Sequence, residues 1–340
     1  MKSYKKKSRR RIIKLFLVQV LLITAILLLG KNLYSAVFHR PADTVKSPYT
    51  PSLPEVSATP LANTVTDIPY ARAAVSNDVS SIAMDALASR NAVLVSLEDD
   101  EILYNKEGNE TIYPASLTKI MTVIAAIESL DDLNQSIMIS SDMFDALYRE
   151  NASMAGFLPG EAVPAVDLLY GALLPSGAEC CIALAEYISG SEAAFAALMN
   201  EKAEALGMKH THFANSTGLH ASDHYTTAQD LAVLLEYSLQ NDTFRDIFTS
   251  QRYSTGPTKL HPDGITFYST LFKSMASPEF EGGSILGGKT GYTSEAGLCL
   301  ASLAEKNGRE YILITAGAEG DHSTEQFNIL DALYVYSHLE

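Results

Sequence analysis

Two strand pairs stand at opposite ends of the apolar part of this chain, with helical patterns between them, and this order restricts the fold more than any other feature. Asn91–Leu97 is an apolar, partly β-branched run, and Ile102–Asn105 follows it across Glu98-Asp99-Asp100-Glu101, which together read as a hairpin. Leu298–Leu303 and Tyr311–Ala316 flank Glu305-Lys306-Asn307-Gly308, whose Asn-Gly pair suits a two-residue hairpin turn. Helical spacing runs through Ser116–Leu130 (Ile120, Val123, Ile124, Ile127), Asp167–Leu174, Ala178–Tyr187, Glu192–Leu206 before Gly207, and Thr227–Gln240; Asp321–His338 closes the chain as a further helix. Strands at both ends and helices in the middle predict an α/β architecture: one sheet assembled from both ends, with a helical insertion. At 340 residues and 47% apolar content the chain can bury a substantial core.

Charge is unevenly placed. Residues 1–40 hold ten of the 25 Lys and Arg residues and no Asp or Glu, so the rest of the chain carries 15 basic against 40 acidic side chains. An acidic body of this kind is repelled by nucleic acid, which argues against a DNA or RNA partner. The basic cluster ends at Arg11 and precedes a mostly apolar run, Ile12–Leu29. This predicts a basic cytoplasmic tail (1–11), a transmembrane anchor (12–30) and an extracytoplasmic linker (31–77) that is rich in Pro, Ser, Thr and Ala. The body then occupies 78–340, outside the cytoplasm. A cleaved signal peptide is the rival reading, although Leu33 and Tyr34 leave no good small-x-small site before Ala36.

Three cysteines make no disulfide framework: Cys180 and Cys181 are adjacent, and Cys299 lies in a strand-like run, so all three are expected as small buried apolar residues. His210-x-His212 and His220-x-x-x-His224 have spacings that metal ligands use. They fall beside a segment for which no metal is expected, and neither a metal nor an organic cofactor is invoked.

Three short segments carry chemistry. In Ser116-Leu117-Thr118-Lys119, residues three apart on a helix share a face, so an amine held neutral by burial can take the proton of a serine hydroxyl. Alone the pattern is weak, since Ser3-Tyr4-Lys5-Lys6 matches it within the basic tail, and Ser116 can equally be a helix cap with Lys119 solvated. In Lys289-Thr290-Gly291, an ammonium and a hydroxyl suit a terminal carboxylate, and a strand glycine lets a substrate backbone approach. The bland alternative is an edge-strand lysine before a turn. In Ser176-Gly177-Ala178, a second serine can relay a proton or cap the following helix. The order S-x-x-K, serine loop, K-T-G is that of penicillin-interacting serine enzymes.

The surrounding residues extend the match. Tyr113–Thr122, Asp167–Gly177, Phe213–Leu219 followed by His224–Leu231, Gly288–Thr293 and Ala296–Leu300 together resemble the serine-type D-alanyl-D-alanine carboxypeptidases, the low-molecular-mass penicillin-binding proteins of peptidase family S11. The resemblance covers about residues 80–338. It implies a β-lactamase-like fold with an antiparallel sheet flanked by helices. It also implies that Ser116 attacks the carbonyl between two terminal D-alanines of a peptidoglycan stem peptide, that Lys119 accepts its proton, and that Ser176 passes a proton to the leaving D-alanine. Backbone N–H groups of Ser116 and Tyr292 would form the oxyanion hole, and Lys289, Thr290 and Gly291 would line the place of the substrate carboxylate. β-Lactams would acylate Ser116.

One position departs from the pattern. Ala178 stands where the resemblance expects an Asn that binds a substrate amide and orients the lysine, so weaker but real carboxypeptidase activity is expected. The alternatives are a membrane-tethered penicillin-binding sensor or scaffold, and a β-lactamase, which needs a positioned deacylating carboxylate that the segment around Glu161 does not resemble.

Overall fold

The computed structural model describes residue 83 and residues 86–339. The basic tail, the apolar segment and the linker read from residues 1–77 lie outside the described residues. Among the described residues no single helix is long and apolar enough to cross a membrane.

In chain order, β1 (Asn91–Ser96) and β2 (Glu101–Lys106) precede a short 3-10 turn (Ala115–Leu117) that leads into α1 (Thr118–Ser129). The insertion continues with β3 (Ser136–Met138), α2 (Phe144–Arg149), β4 (Ala162–Pro164), α3 (Ala165–Leu173), α4 (Ala178–Ser189) and α5 (Glu192–Ala205). It ends with α6 (Ala228–Leu239), α7 (Asp242–Thr249), β5 (Arg252–Ser254), β6 (Thr266–Tyr268) and α8 (Thr270–Lys273). The chain returns to the sheet as β7 (Glu279–Phe280), β8 (Gly283–Thr293), β9 (Gly297–Lys306) and β10 (Arg309–Ala318), then closes with α9 (Phe327–Ser337).

The main sheet has the order β2-β1-β10-β9-β8-β7, all neighbours antiparallel. It is built from both ends of the body, because β1 pairs with β10 along its whole length, Asn91 opposite Ala316 to Ser96 opposite Tyr311. Every residue of β1 is buried, and the two-residue period of a strand explains why. Val93 and Val95 face a core shared with Ile120, Val123 and Ile124 of α1 and Leu231 and Leu234 of α6. Ala92 and Leu94 face a second core with Ile329, Ala332, Val335 and Tyr336 of α9. Helices on both faces leave no solvated side, so the strand reads as a continuous apolar run.

The hairpin between β9 and β10 turns on Asn307 and Gly308, both at positive φ (+55° and +81°), as its Asn-Gly sequence demands. Two of the boundaries that differ from the sequence expectation have a clear local cause. The helix expected from Ser116 begins as a 3-10 turn and becomes α-helical only at Thr118. The closing helix starts at Phe327, six residues after Asp321. Asp321 Oδ1 accepts from the Ser323 N–H (2.7 Å), and the Asp321 N–H donates to Thr324 Oγ1 (2.8 Å). These short polar side chains satisfy backbone groups locally and stop the helix from extending backwards.

Candidate active site

The Ser116 segment is wedged between two glycines. Ala115, just before Ser116, is buried and sits at φ +46°, a left-handed conformation that is unfavourable for alanine. Gly218 makes it possible: a Cβ there would lie 1.9 Å from the Ala115 carbonyl oxygen. On the other side, a Cβ on Gly291 would lie 3.1 Å from the Ser116 amide nitrogen. The glycine of the K-T-G segment therefore brings β8 against the turn that carries Ser116.

Helical spacing then does what it predicts. Lys119 Nζ lies 3.0 Å from Ser116 Oγ. Ser176, itself at φ +69° on the loop between α3 and α4, places its Oγ 3.0 Å from the same oxygen. Ser116, Lys119 and Ser176 thus meet at one point, although Ser176 is sixty residues away in sequence. Lys119 is 2% exposed. Burial lowers its pKa from the ordinary lysine value, against the opposing pull of Cys181 and Glu179, and this favours the neutral amine that can take a proton.

Lys119 is also held by the carbonyl of Thr217, a backbone contact with no side-chain signature in the sequence. The segment that presents this carbonyl is braced on several sides. Asn215 Oδ1 accepts from the N–H groups of Thr217 (3.1 Å) and Gly218 (2.7 Å), Glu192 accepts from the Ser216 N–H (3.0 Å), and Thr122 Oγ1 donates to the Ser216 carbonyl (2.6 Å).

The K-T-G residues lie within β8, opposite Ala301, Leu300 and Cys299 of β9. Lys289 is 1% exposed, donates to the Thr290 carbonyl at 2.7 Å, and has its pKa lowered well below the ordinary value, first by burial and then by Lys119. Thr290 Oγ1 pairs with Thr270 Oγ1 of α8 at 2.7 Å. Two cavities open from Ser116. The first, of about 240 Å³, is lined by Ser116, Ser176, Thr270, Lys273, Thr290 and Tyr292, among others. The second, of about 460 Å³, shares Ser116, Ser153, Tyr292 and His322 with the first and adds Lys119, Ala178 and Thr217, among others. The structure therefore brings together Ser116, Lys119, Ser176, Lys289, Thr290, Gly291 and Tyr292. Sequence reading did not single out Lys273, Ser153 or the Thr217 carbonyl; Thr217 lay in a family-like stretch without a role, and Lys273 sits in a four-residue helix with no pattern around it.

The cysteines and histidines have other places. Cys180, Cys181 and Cys299 are free and buried, and burial pushes the thiols of Cys181 and Cys299 up to about 12 and about 11, which keeps them protonated. His224 Nδ1 accepts from the Ala214 N–H at 2.9 Å, so Nε2 carries the proton and donates to Thr118 Oγ1 at 2.7 Å. His212 Nδ1 contacts the Asp223 carbonyl, and the His220 ring meets Tyr113 edge-on at 4.7 Å. No group of three or more His, Cys, Asp or Glu suited to a metal occurs among the described residues. Glu161 accepts from His261 Nδ1 and Thr258 and lines a separate cavity that does not include Ser116.

Comparison with known proteins agrees with this geometry. Residues 77–320 match the D-alanyl-D-alanine carboxypeptidase model of the peptidase S11 family. The D-alanyl-D-alanine carboxypeptidase DacF of Bacillus subtilis is 36% identical over 234 residues, covering 68% of this chain and 57% of the relative. DacD of Escherichia coli is 30% identical over 246 residues, covering 69% and 59%. The chain thus spans less than two thirds of the length of these curated relatives. Among solved structures, a Streptomyces DD-transpeptidase superposes with a TM-score of 0.67 at 25% identity, covering 76% of this chain and 98% of the other. The antiparallel sheet, the flanking helices and the three motifs are accounted for together: the chain belongs to the D-alanyl-D-alanine carboxypeptidase family, peptidase S11.

Proposed function

We propose that the protein is a serine D-Ala-D-Ala carboxypeptidase that trims peptidoglycan stem pentapeptides, held at the outer face of a bacterial cell membrane by its N-terminal apolar segment. The observation that carries the chemistry is the convergence of Lys119 Nζ and Ser176 Oγ on Ser116 Oγ, each at 3.0 Å. Lys119 takes the Ser116 hydroxyl proton as Oγ bonds to the carbonyl carbon between the two D-alanines. Negative charge develops on the carbonyl oxygen, for which the backbone N–H groups of Ser116 and Tyr292 are the proposed donors. The C–N bond breaks, and the proton held by Lys119 passes through Ser176 to the departing amine. Water then hydrolyses the Ser116 ester and restores the hydroxyl.

The substrate's terminal carboxylate belongs at the first cavity, where Thr290 and Thr270 offer hydroxyls and Lys273 adds a cation. Buried Lys289 stands behind them on β8, its amine donating to the Thr290 carbonyl at 2.7 Å. The acyl part of the peptide then runs through the second cavity. β-Lactams present a strained carbonyl to the same serine and are expected as covalent inhibitors. The membrane placement is supported by the basic cluster up to Arg11 and the apolar run after it. The test is release of D-alanine from a peptide ending in D-Ala-D-Ala: wild type releases it and Ser116→Ala does not. Release that survives Ser116→Ala sinks the assignment, and no release by the wild type favours a penicillin-binding scaffold.

A further inference from the structure

Ala178 opens α4 with a methyl group where an amide side chain is expected, yet the wall of the cleft at this point is not bare. We infer that Ser153 supplies the substrate-facing hydrogen-bonding group that Ala178 lacks, and that Glu179 is the positioning residue that holds Ser153 there. The inference rests on the carboxypeptidase reading of the site.

The loop after α2 is docked on three consecutive residues at the start of α4. At Gly177 the two backbones touch: a Cβ there would lie 2.7 Å from Ala155 Cβ and 2.9 Å from the Ala155 amide nitrogen. At Ala178 the backbone N–H donates to the Ser153 carbonyl at 2.8 Å. At Glu179 one carboxylate oxygen, Oε1, accepts from the N–H groups of both Ala155 (2.7 Å) and Gly156 (2.9 Å). Glu179 is wholly buried, so its carboxyl group gives up solvation to grip a surface loop. Burial accordingly raises its pKa.

The result of this docking is the position of Ser153. Ser153 is exposed and lines both cavities that meet at Ser116, whereas Ala178 and Asn151 line only the second. Ser153 is thus the residue of this loop that reaches both cavities, including the second one that Ala178 also lines. Lys119 does not need that amide either, because the Thr217 carbonyl holds its Nζ. Two tasks expected of one Asn are divided here: a backbone carbonyl orients the lysine, and a loop serine meets the substrate.

A double-mutant cycle on D-alanine release tests this. Ser153→Ala should lower kcat/KM about fivefold, the worth of one neutral hydrogen bond. In the Ala178→Asn background, where an amide stands on the same wall, the same substitution should cost less than about twofold. Glu179→Gln keeps an oxygen that can accept both loop N–H groups and should stay within about threefold of wild type; Glu179→Ala, with folding checked by thermal melting, should lose at least as much as Ser153→Ala. Wild-type activity with Ser153→Ala undiminished, or an equal loss in both backgrounds, overturns the inference alone. A wild type that releases no D-alanine overturns the carboxypeptidase reading and the inference with it. If Glu179→Ala does not fold, the Ser153 cycle and the Glu179→Gln rescue still decide.

Discussion

Lys119 Nζ lies 3.0 Å from Ser116 Oγ while 98% of the lysine residue's surface is withdrawn from solvent. Helical spacing sets this distance, and burial favours the neutral amine that the proposed base requires. Because the Lys119 pKa is lowered from 10.5, the neutral and competent form grows in as pH rises and is reached earlier than for a solvated lysine. The rate of acylation by a penicillin should rise with pH to a plateau whose midpoint lies below 10.5. Lys119→Ala should lower that rate about 10³-fold and remove the rise. Stopped-flow acylation across pH checks both; a flat profile in the wild type contradicts the role.

Lys273 is placed to act on binding more than on chemistry. It lines the first cavity beside Thr290, whereas Lys119 is the lysine bonded to Ser116 Oγ. Lys273→Ala should raise KM for a D-Ala-D-Ala peptide about three- to tenfold and leave kcat nearly unchanged, as for loss of one exposed charge-assisted contact. Steady-state kinetics separates the two constants. A fall in kcat alone would move Lys273 out of the carboxylate site.

Much of this site was legible from residue types and spacing, and the illegible parts share a cause. Ser116 and Lys119 are three apart, so helical geometry alone pairs them. Ser176 is sixty residues from Ser116, and only the likeness of the surrounding segments connected them. The Thr217 carbonyl is a backbone atom, which any residue type supplies. Ser153 gains its place through Glu179 and Ala178, contacts that no periodicity marks. In the fold, the two hairpins are legible from apolar runs around an acidic turn and from the Asn-Gly turn. The closing helix starts six residues later than the sequence predicts because Asp321 and Thr324 cap a turn locally, while composition around them still suits a helix.

His224 gives the fold an acid-sensitive point behind the nucleophile helix. Its pKa is pushed down to about 4, first by burial, from an ordinary 6.5. Below pH 6.5 the unfolded chain binds a proton that the folded state refuses until about pH 4, so stability falls as pH drops through that window. The loss is on the order of 3 kcal/mol at about 1.4 kcal/mol per pH unit. Urea unfolding at pH 7 and pH 4.5 should show a larger fall for wild type than for His224→Gln, by about 2 kcal/mol. Equal falls would contradict the assignment of a neutral, doubly bonded imidazole.

Gly218 is the steric condition for the nucleophile turn. With φ at +80° and the Ala115 carbonyl in the space a Cβ would occupy, Gly218→Ala should cost at least about 2 kcal/mol of stability and slow penicillin acylation at least about tenfold, since the turn carrying Ser116 must shift. Denaturation and acylation measured on the same preparation check it; a variant as stable and as reactive as wild type would mean that the turn is not held by this contact.

The central claim is that Ser116 is the acylated nucleophile, and peptide mass spectrometry after brief penicillin treatment tests it most directly. One penicilloyl adduct is expected, on the peptide containing Ser116, absent from Ser116→Ala and from protein denatured before treatment. An adduct on Ser176 or elsewhere, or none on a folded wild type, would contradict it.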